Sequence, residues 1–461
     1  MTDAILSEVV AQTAERFQIP GGAAAVLVDG QEIYAAHGVT SLENPLPVNQ
    51  DTLYMIGSVS KTFTATALMR LVDQGKVDLD APVRRYIPEL KLKDERTAAQ
   101  VTILNLLNHT SGLSWGVFFE SGLGDDALAR YVDQLAEVEI IAPPGARTSY
   151  SQGAFNLLGR VIEKVTGQTF EQAVSSLIFE PLGLTHSFYS GEEMMSRRFV
   201  VGHERAEDGS LYVTRKWRMG RGDSPGGGLA SSTSDLLRWA RFHLGDGRAE
   251  SGERILPAEL LHRMREQTAV LRGSNMGHAV GICWFLREVD GVPAFGHGGS
   301  SVGQFAELLL VPDRSFAVVS LSNANPDGIP CNQAIVRWAL QHYSGLIDHD
   351  PEPVPYDETR AREIVGIYAN DVMDLTIDDK NGTGLRLEVL LKPEIRATDE
   401  KGEMPQDHEP FDFGLLPGDG DEYIIVSGAF KGQRGFFSRD ESGAVVGVDL
   451  AGRLFGRVRT P

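Results

Sequence analysis

The chain has 461 residues, enough for two large domains or about three of typical size. Hydrophobic residues make up 42% and charged residues 23%, the balance of a globular protein with a real core. A formal net charge of -20 argues against nucleic acid or an anionic membrane as the main partner, because both need clustered Lys and Arg. No run approaches the roughly 18 apolar residues of a membrane span. The start, Met1 to Glu8, has neither a basic segment nor a long apolar stretch, so no secretory signal is read there and a cytoplasmic location is expected. The two cysteines, Cys283 and Cys331, lie in different segments without metal-site spacing and are expected as reduced core thiols.

Residues 3–17 read as an amphipathic helix, and Gly22–Val28 and Glu32–His37 as a hairpin around Asp29-Gly30. A helix is predicted over 59–74, where Phe63, Ala67, Leu68 and Leu71 share a face and Gly75 ends the run. Thr102 is placed to cap a helix with Ile103, Leu106 and Leu107. Another helix runs from Gly153 to Val165 and is closed by Gly167; Thr233 or Ser234 caps one reaching about Leu244. Four apolar runs follow, Ala279–Arg287, Val292–Gly296, Phe305–Val311 and Phe316–Leu321, split by Asp290-Gly291 and Pro312-Asp313. These are hairpin signals for an antiparallel sheet, and a helix at about 330–343 closes the segment. With strands at both ends and helices between, residues 1–347 predict an α/β (α+β) domain, an antiparallel sheet flanked by helices. Residues 348–357, with three prolines among acids, read as a stiff linker, and the turn-rich residues 358–461 as a small β barrel.

Three short phrases carry chemistry. Gly57-Ser58-Val59-Ser60-Lys61 opens the helix at 59–74, where the serine's own N–H lacks an intrahelical partner and is free to donate to an oxyanion. Lys61 is one turn on, so its amine lies on the face of the Ser58 hydroxyl. A neutral lysine takes a serine proton only if burial or a cationic neighbour lowers its pKa. Tyr150 and Gln152 sit in a turn just before a helix, and Phe295-Gly296-His297-Gly298-Gly299-Ser300 lies on a strand running into a turn. Glycines inside a strand often mark a close approach of ligand to backbone. The bland alternatives are an N-cap serine with a surface lysine, a packing tyrosine, and a bulge with a surface histidine.

In this order the three phrases resemble the penicillin-recognising serine hydrolases of the class C β-lactamase-like branch, which includes β-lactamases, DD-peptidases, D-aminopeptidases and esterases. Leu106-Leu107-Asn108-His109-Thr110-Ser111-Gly112-Leu113, Leu157–Glu163, Pro181-Leu182-Gly183-Leu184 and Gly226–Ser232 extend the likeness over roughly residues 5–345. The resemblance implies a β-lactamase/transpeptidase-like fold and a catalytic set of Ser58, Lys61 and Tyr150: Ser58 as nucleophile, Lys61 and Tyr150 as base and later proton donor. It implies an oxyanion hole from the N–H groups of Ser58 and Ser300, and substrate contacts from Gln152, His297, Gly298 and Gly299. No metal and no cofactor are called for; histidines 186, 203, 342 and 349 lack ligand spacing. Two positions depart from the family pattern. Gln152 stands where Asn is usual, and His297 where β-lactamases carry Lys, so a substrate carboxylate loses a fixed positive partner. The expected activity is therefore hydrolysis of an ester, amide or peptide bond in a small-molecule or peptide substrate, in the manner of the esterase and D-aminopeptidase branch. The alternatives are a D-stereospecific peptidase, a DD-peptidase or β-lactamase, and a catalytically silent binding or scaffold protein. The segment Glu363–Tyr368 resembles the lipocalin-like domains attached to some of these hydrolases, which gate the cleft or build a homo-oligomer. Gly112-Leu113-Ser114-Trp115-Gly116 and Gly299-Ser300-Ser301-Val302-Gly303 fit Gly-x-Ser-x-Gly but lack the strand-to-helix setting of a nucleophile elbow. Trp115, Phe118 and Phe119 are candidates to line an apolar substrate pocket.

Overall fold

The computed structural model describes residues 3–114, 120–206, 208–216, 220–396, 409–428 and 430–458. Trp115, Phe118 and Phe119 lie outside them. The chain divides into two compact units: Met1–Arg147, Ser151–Ala269 and Ala279–Asp348 form the first; Thr148–Tyr150, Val270–His278 and His349–Pro461 form the second.

The first unit is built on an antiparallel sheet in the order Gln31–Gly38, Gly21–Val28, Phe316–Ser322, Gln304–Val311, Val292–Ser301, Phe285–Val289, Ala279–Val280. Its central strands are apolar at nearly every position because both faces are covered. Along Gly21–Val28, Ala23, Ala25 and Leu27 join one core cluster while Ala24 and Val26 join the other. The strands Phe316–Ser322 and Gln304–Val311 divide the same way, Val319 and Leu308 against Val318 and Leu309. Leu6, Val10 and Ala14 of the helix Ala4–Arg16, and Ile335, Val336 and Ala339 of the helix Gly328–Ala339, belong to the smaller cluster. The larger cluster takes in Ser60–Asp73, Gln152–Thr166 and Thr233–Leu244. Cys283 and Cys331 are separate buried thiols, one in each cluster.

The expected elements form with local adjustments. Thr102 caps Ile103–Leu107 with a reciprocal capping box, and Gly167 closes Gln152–Thr166 in the left-handed conformation at φ 71°. The cap of Thr233–Leu244 is Ser232, one or two residues before the expected Thr233 or Ser234; its hydroxyl accepts from the Asp235 N–H at 3.2 Å. Thr233 and Ser234 instead donate to the Gln50 carbonyl and the Asp51 carboxylate. The run Ala279–Arg287 is two strands, because the chain turns between them at Gly281–Trp284. A Cβ on Gly281 would lie 2.3 Å from the Met264 carbonyl oxygen, and Cys283 takes φ 74°. Strand Val292–Ser301 runs past the expected Gly296 and carries the whole His297–Ser300 phrase in one extended segment.

The second unit contains a closed barrel of eight antiparallel strands, each paired with its chain neighbours and sealed by Gly366–Ala369 against Arg453–Arg457. About eight strands leave an interior that side chains just fill. Tyr368, Leu387, Phe413, Tyr423, Phe437 and Phe455 are buried in this unit's core, and the Tyr423 hydroxyl donates to the Asp449 carbonyl at 2.9 Å. The proline-rich stretch is not a free tether: the Val354 N–H donates to the Leu415 carbonyl, and Pro353 packs over Gly414. Two segments distant in sequence complete the unit. Tyr150 N–H donates to the Gly452 carbonyl at 2.9 Å, and the Gln433 amide to Asn275 Oδ1 at 2.8 Å. Among the described residues, no helix is long and apolar enough to cross a membrane.

Candidate active site

A tight turn, Gly57–Val59, leads into the helix Ser60–Asp73 and presents Ser58 at its head. Buried hydroxyls pin this start. Ser60 Oγ donates to the Gly57 carbonyl at 2.6 Å and accepts from the Leu229 N–H at 3.1 Å. Thr64 Oγ1 donates to the Pro225 carbonyl at 2.7 Å, and Phe63 stacks on Trp239 with ring centroids 4.0 Å apart. The helix is therefore locked to residues 224–229, which place the next carbonyl, that of Gly226, over Lys61.

Lys61 is fully buried. Its Nζ lies 2.6 Å from Gln152 Oε1, 2.6 Å from the Gly226 carbonyl and 3.2 Å from Ser58 Oγ, and 5.6 Å from the centre of the Phe155 ring. Carbonyl oxygens only accept, so two N–H bonds are committed to them, and the remaining tetrahedral direction addresses the Ser58 hydroxyl. Gln152 thus turns its carbonyl to the lysine. Its longer stem fits because residue 226 is glycine: a Cβ there would lie 2.0 Å from Gln152 Nε2. Gly226, which the sequence showed only as part of a glycine run, is a member of the site.

The strand phrase meets the helix start directly. Gly57 takes φ 50°, and a Cβ on it would lie 2.4 Å from Ser300 N. A Cβ on Gly299 would lie 2.0 Å from the Ile56 carbonyl oxygen and 2.8 Å from Ser58 N. Glycine at both positions lets the backbones carrying the Ser58 and Ser300 amides lie side by side. His297 is buried in a tilted contact with Phe285, centroids 4.9 Å apart. Its Nδ1–H donates to the Gly298 carbonyl at 2.6 Å, which leaves the lone pair on Nε2. Burial, reinforced by the positive field of Lys61, pushes its pKa down to about 3, so the imidazole is neutral. Gly298 faces the other way, toward the Glu307 carboxylate. Tyr150, two residues before Gln152, is buried and belongs to the second unit with its N–H on Gly452. Ser114 is buried with its N–H on the Glu139 carbonyl, and Ser301 ends a strand, so neither stands at a strand-to-helix turn.

A carboxyl absent from the sequence reading completes the surroundings. Asp223 is buried, accepts from Asn156 Nδ2 at 2.9 Å, and has its pKa raised to about 7 by burial, against the opposing pull of Asn156 and Lys61. The folded state holds this proton more tightly than the unfolded chain, so the group's contribution is favourable at low pH and is lost as pH rises toward 7. Asp223→Asn is accordingly expected to raise the melting temperature more at about pH 8 than at about pH 5; an equal change at both, by calorimetry, would mean the carboxyl does not titrate in this range.

Ser58 thus stands at the head of a helix, 3.2 Å from the amine of a buried lysine and against the backbone of Gly299 and Ser300. Residues 6–338 match the model of the Beta-lactamase family, and the chain belongs to that family. Penicillin-binding protein 4 of Amycolatopsis lactamdurans is 38% identical over 308 residues, covering 66% of this chain and 81% of that protein. Among solved structures, SurE matches with a TM-score of 0.75 at 24% identity over 98% of both chains. The octameric penicillin-binding protein homologue from Pyrococcus abyssi matches with a TM-score of 0.66 at 23% identity, over 98% of this chain and 99% of that one. At such identities the two structures speak to the fold alone.

Proposed function

We propose that the protein is a serine hydrolase that cleaves an ester or amide bond of a small or peptide substrate through an acyl-enzyme on Ser58. The observation that carries this reading is the buried Lys61, held by two carbonyls so that its remaining direction points at Ser58 Oγ. In the reaction, Ser58 Oγ attacks the substrate carbonyl carbon and gives up its proton, with Lys61 and Tyr150 proposed as base and later proton donor. The oxyanion accepts from the N–H groups of Ser58 and Ser300. Collapse breaks the bond to the alcohol or amine, which leaves with the proton, and water then releases the acid by the same steps. Gln152 orients Lys61, while His297, Gly298 and Gly299 form the strand edge along which substrate lies. The P. abyssi homologue is described as octameric; a homo-oligomer is the assembly we propose to test here, by light scattering.

The neutral His297 sets the substrate preference. A carboxylate beside a lysine ammonium in a partly desolvated cleft gains a few kcal/mol, roughly, and beside a neutral imidazole it gains little. Short-chain esters and aminoacyl amides are therefore expected to turn over far better than penicillins or cephalosporins. With the histidine pKa near 3, acidification does not charge it, so the ester-to-β-lactam ratio is expected to stay flat between about pH 5 and pH 8. The test is kcat/KM for p-nitrophenyl acetate, D- and L-aminoacyl p-nitroanilides and nitrocefin on one preparation. SurE has been crystallised with D-Leu, which makes the D-aminoacyl compounds the ones to compare first with their L forms. A preference for nitrocefin would reverse the assignment to a β-lactamase.

A further inference from the structure

The loop Asn108–Gly112 grips the segment that carries Tyr150 and Gln152. Ile141 N–H donates to the Gly112 carbonyl at 2.8 Å, and Gly145 N–H to the Thr110 carbonyl at 2.7 Å. Gly112 is pressed so close that a Cβ would lie 2.0 Å from the Ala142 carbonyl oxygen. One side chain of the loop takes part in this grip nearest the chemistry. His109 Nδ1 accepts from the Ser151 N–H at 3.2 Å. That N–H belongs to the peptide unit joining Tyr150 to Ser151, so the imidazole holds the plane of the link on which Tyr150 hangs.

The surroundings of His109 favour this contact. It is buried and takes φ 60°, an unusual conformation for a residue with a side chain. The ring contacts Phe155, with centroids 5.2 Å apart, and Phe285, with centroids 6.2 Å apart and planes nearly parallel. Accepting at Nδ1 requires the neutral tautomer with its proton on Nε2. Burial, with the positive field of Lys61 in the same direction, holds the ring neutral. Ser151 itself caps the helix Gln152–Thr166, accepting from Ala154 N–H and donating to the Ser114 carbonyl. The residue between Tyr150 and Gln152 is thus fixed at backbone and side chain alike.

We infer that His109 is a positioning residue for proton transfer, acting through its Nδ1 acceptor on the Tyr150–Ser151 peptide. This rests on the proposed roles of Ser58 and Tyr150. The test compares His109→Asn with His109→Leu. The two replacements are close in size and shape, but only Asn keeps an acceptor near the position of Nδ1. With folded protein checked by near-ultraviolet circular dichroism, His109→Leu is expected to lower kcat by about 10²-fold with KM little changed, the cost of about 1 Å of misplacement at a reacting group. His109→Asn should recover most of kcat. Equal losses in both variants would show that the ring acts through packing alone and would overturn the inference, as would full activity in His109→Leu. If His109→Leu does not fold, the Asn variant decides alone: near wild-type kcat supports the acceptor role, and a loss like that expected for Leu overturns it. Ser58→Ala run beside them separates the premises, since activity surviving there removes the proposed mechanism whatever His109 does.

Discussion

Ser58→Ala is expected to lower kcat/KM by about 10³-fold or more while leaving the fold intact. The substitution removes the oxygen proposed to attack and little else. Lys61 loses its 3.2 Å contact with Ser58 Oγ but keeps both shorter contacts, to Gln152 and Gly226, so the buried amine still has partners. The structural anchors of this helix start are the hydroxyls of Ser60 and Thr64, not that of Ser58. A fluorophosphonate probe should label the wild type at Ser58, seen by peptide mass, and fail to label the variant. An adduct on Ser114 or Ser301, or an unchanged rate, would remove Ser58 from the mechanism.

The parts of this site legible in the sequence are those governed by local geometry. Ser58 and Lys61 are three residues apart at a helix start, and that spacing alone puts hydroxyl and amine within reach of each other. The hairpins were legible for the same reason: Asp29-Gly30 and Asp290-Gly291 supply the left-handed residues that two-residue turns require, and both turns take φ above zero. What was not legible depends on segments far apart in the chain. Nothing in Gln152 shows that its carbonyl faces Lys61, because that depends on the missing Cβ of Gly226, 74 positions later in the numbering. His109 lies in the Leu106–Leu113 phrase that carries the family resemblance, but its hydrogen bond to the Ser151 N–H, 42 positions later in the numbering, is not readable there. Asp223 carries no local signal of its burial, which depends on segments distant in the chain. A cut at the prolines also misses Thr148–Tyr150 and Val270–His278, which cluster with the barrel through long-range backbone and side-chain contacts.

Gly299→Ala is expected to cost about 10²- to 10³-fold in kcat, the range seen when an oxyanion donor is lost. The added methyl would meet the Ile56 carbonyl oxygen at 2.0 Å, Ser58 N at 2.8 Å and Val59 N at 3.0 Å. These are backbone atoms at the head of a helix, so no rotamer change relieves the overlap; the strand must draw back from the helix start. Drawing back separates the Ser58 amide from that of Ser300, so in the proposed mechanism one donor no longer reaches the developing oxyanion. Ground-state binding depends less on that donor, so KM should change less than kcat. Gly298→Ala on the same strand is the comparison, read in kcat alone because Gly298 belongs to the proposed substrate edge and its KM is free to change. Its methyl points to the opposite side and meets a side-chain atom, Glu307 Oε2, at 2.9 Å. A carboxylate on a flexible stem can shift where a backbone cannot, so this variant should keep most of its kcat even if its melting temperature falls. Steady-state kinetics and thermal unfolding of both variants decide the matter. If Gly299→Ala keeps its kcat, or if both variants lose activity equally, the oxyanion is not held between the amides of Ser58 and Ser300, and its donors must be sought elsewhere along the strand.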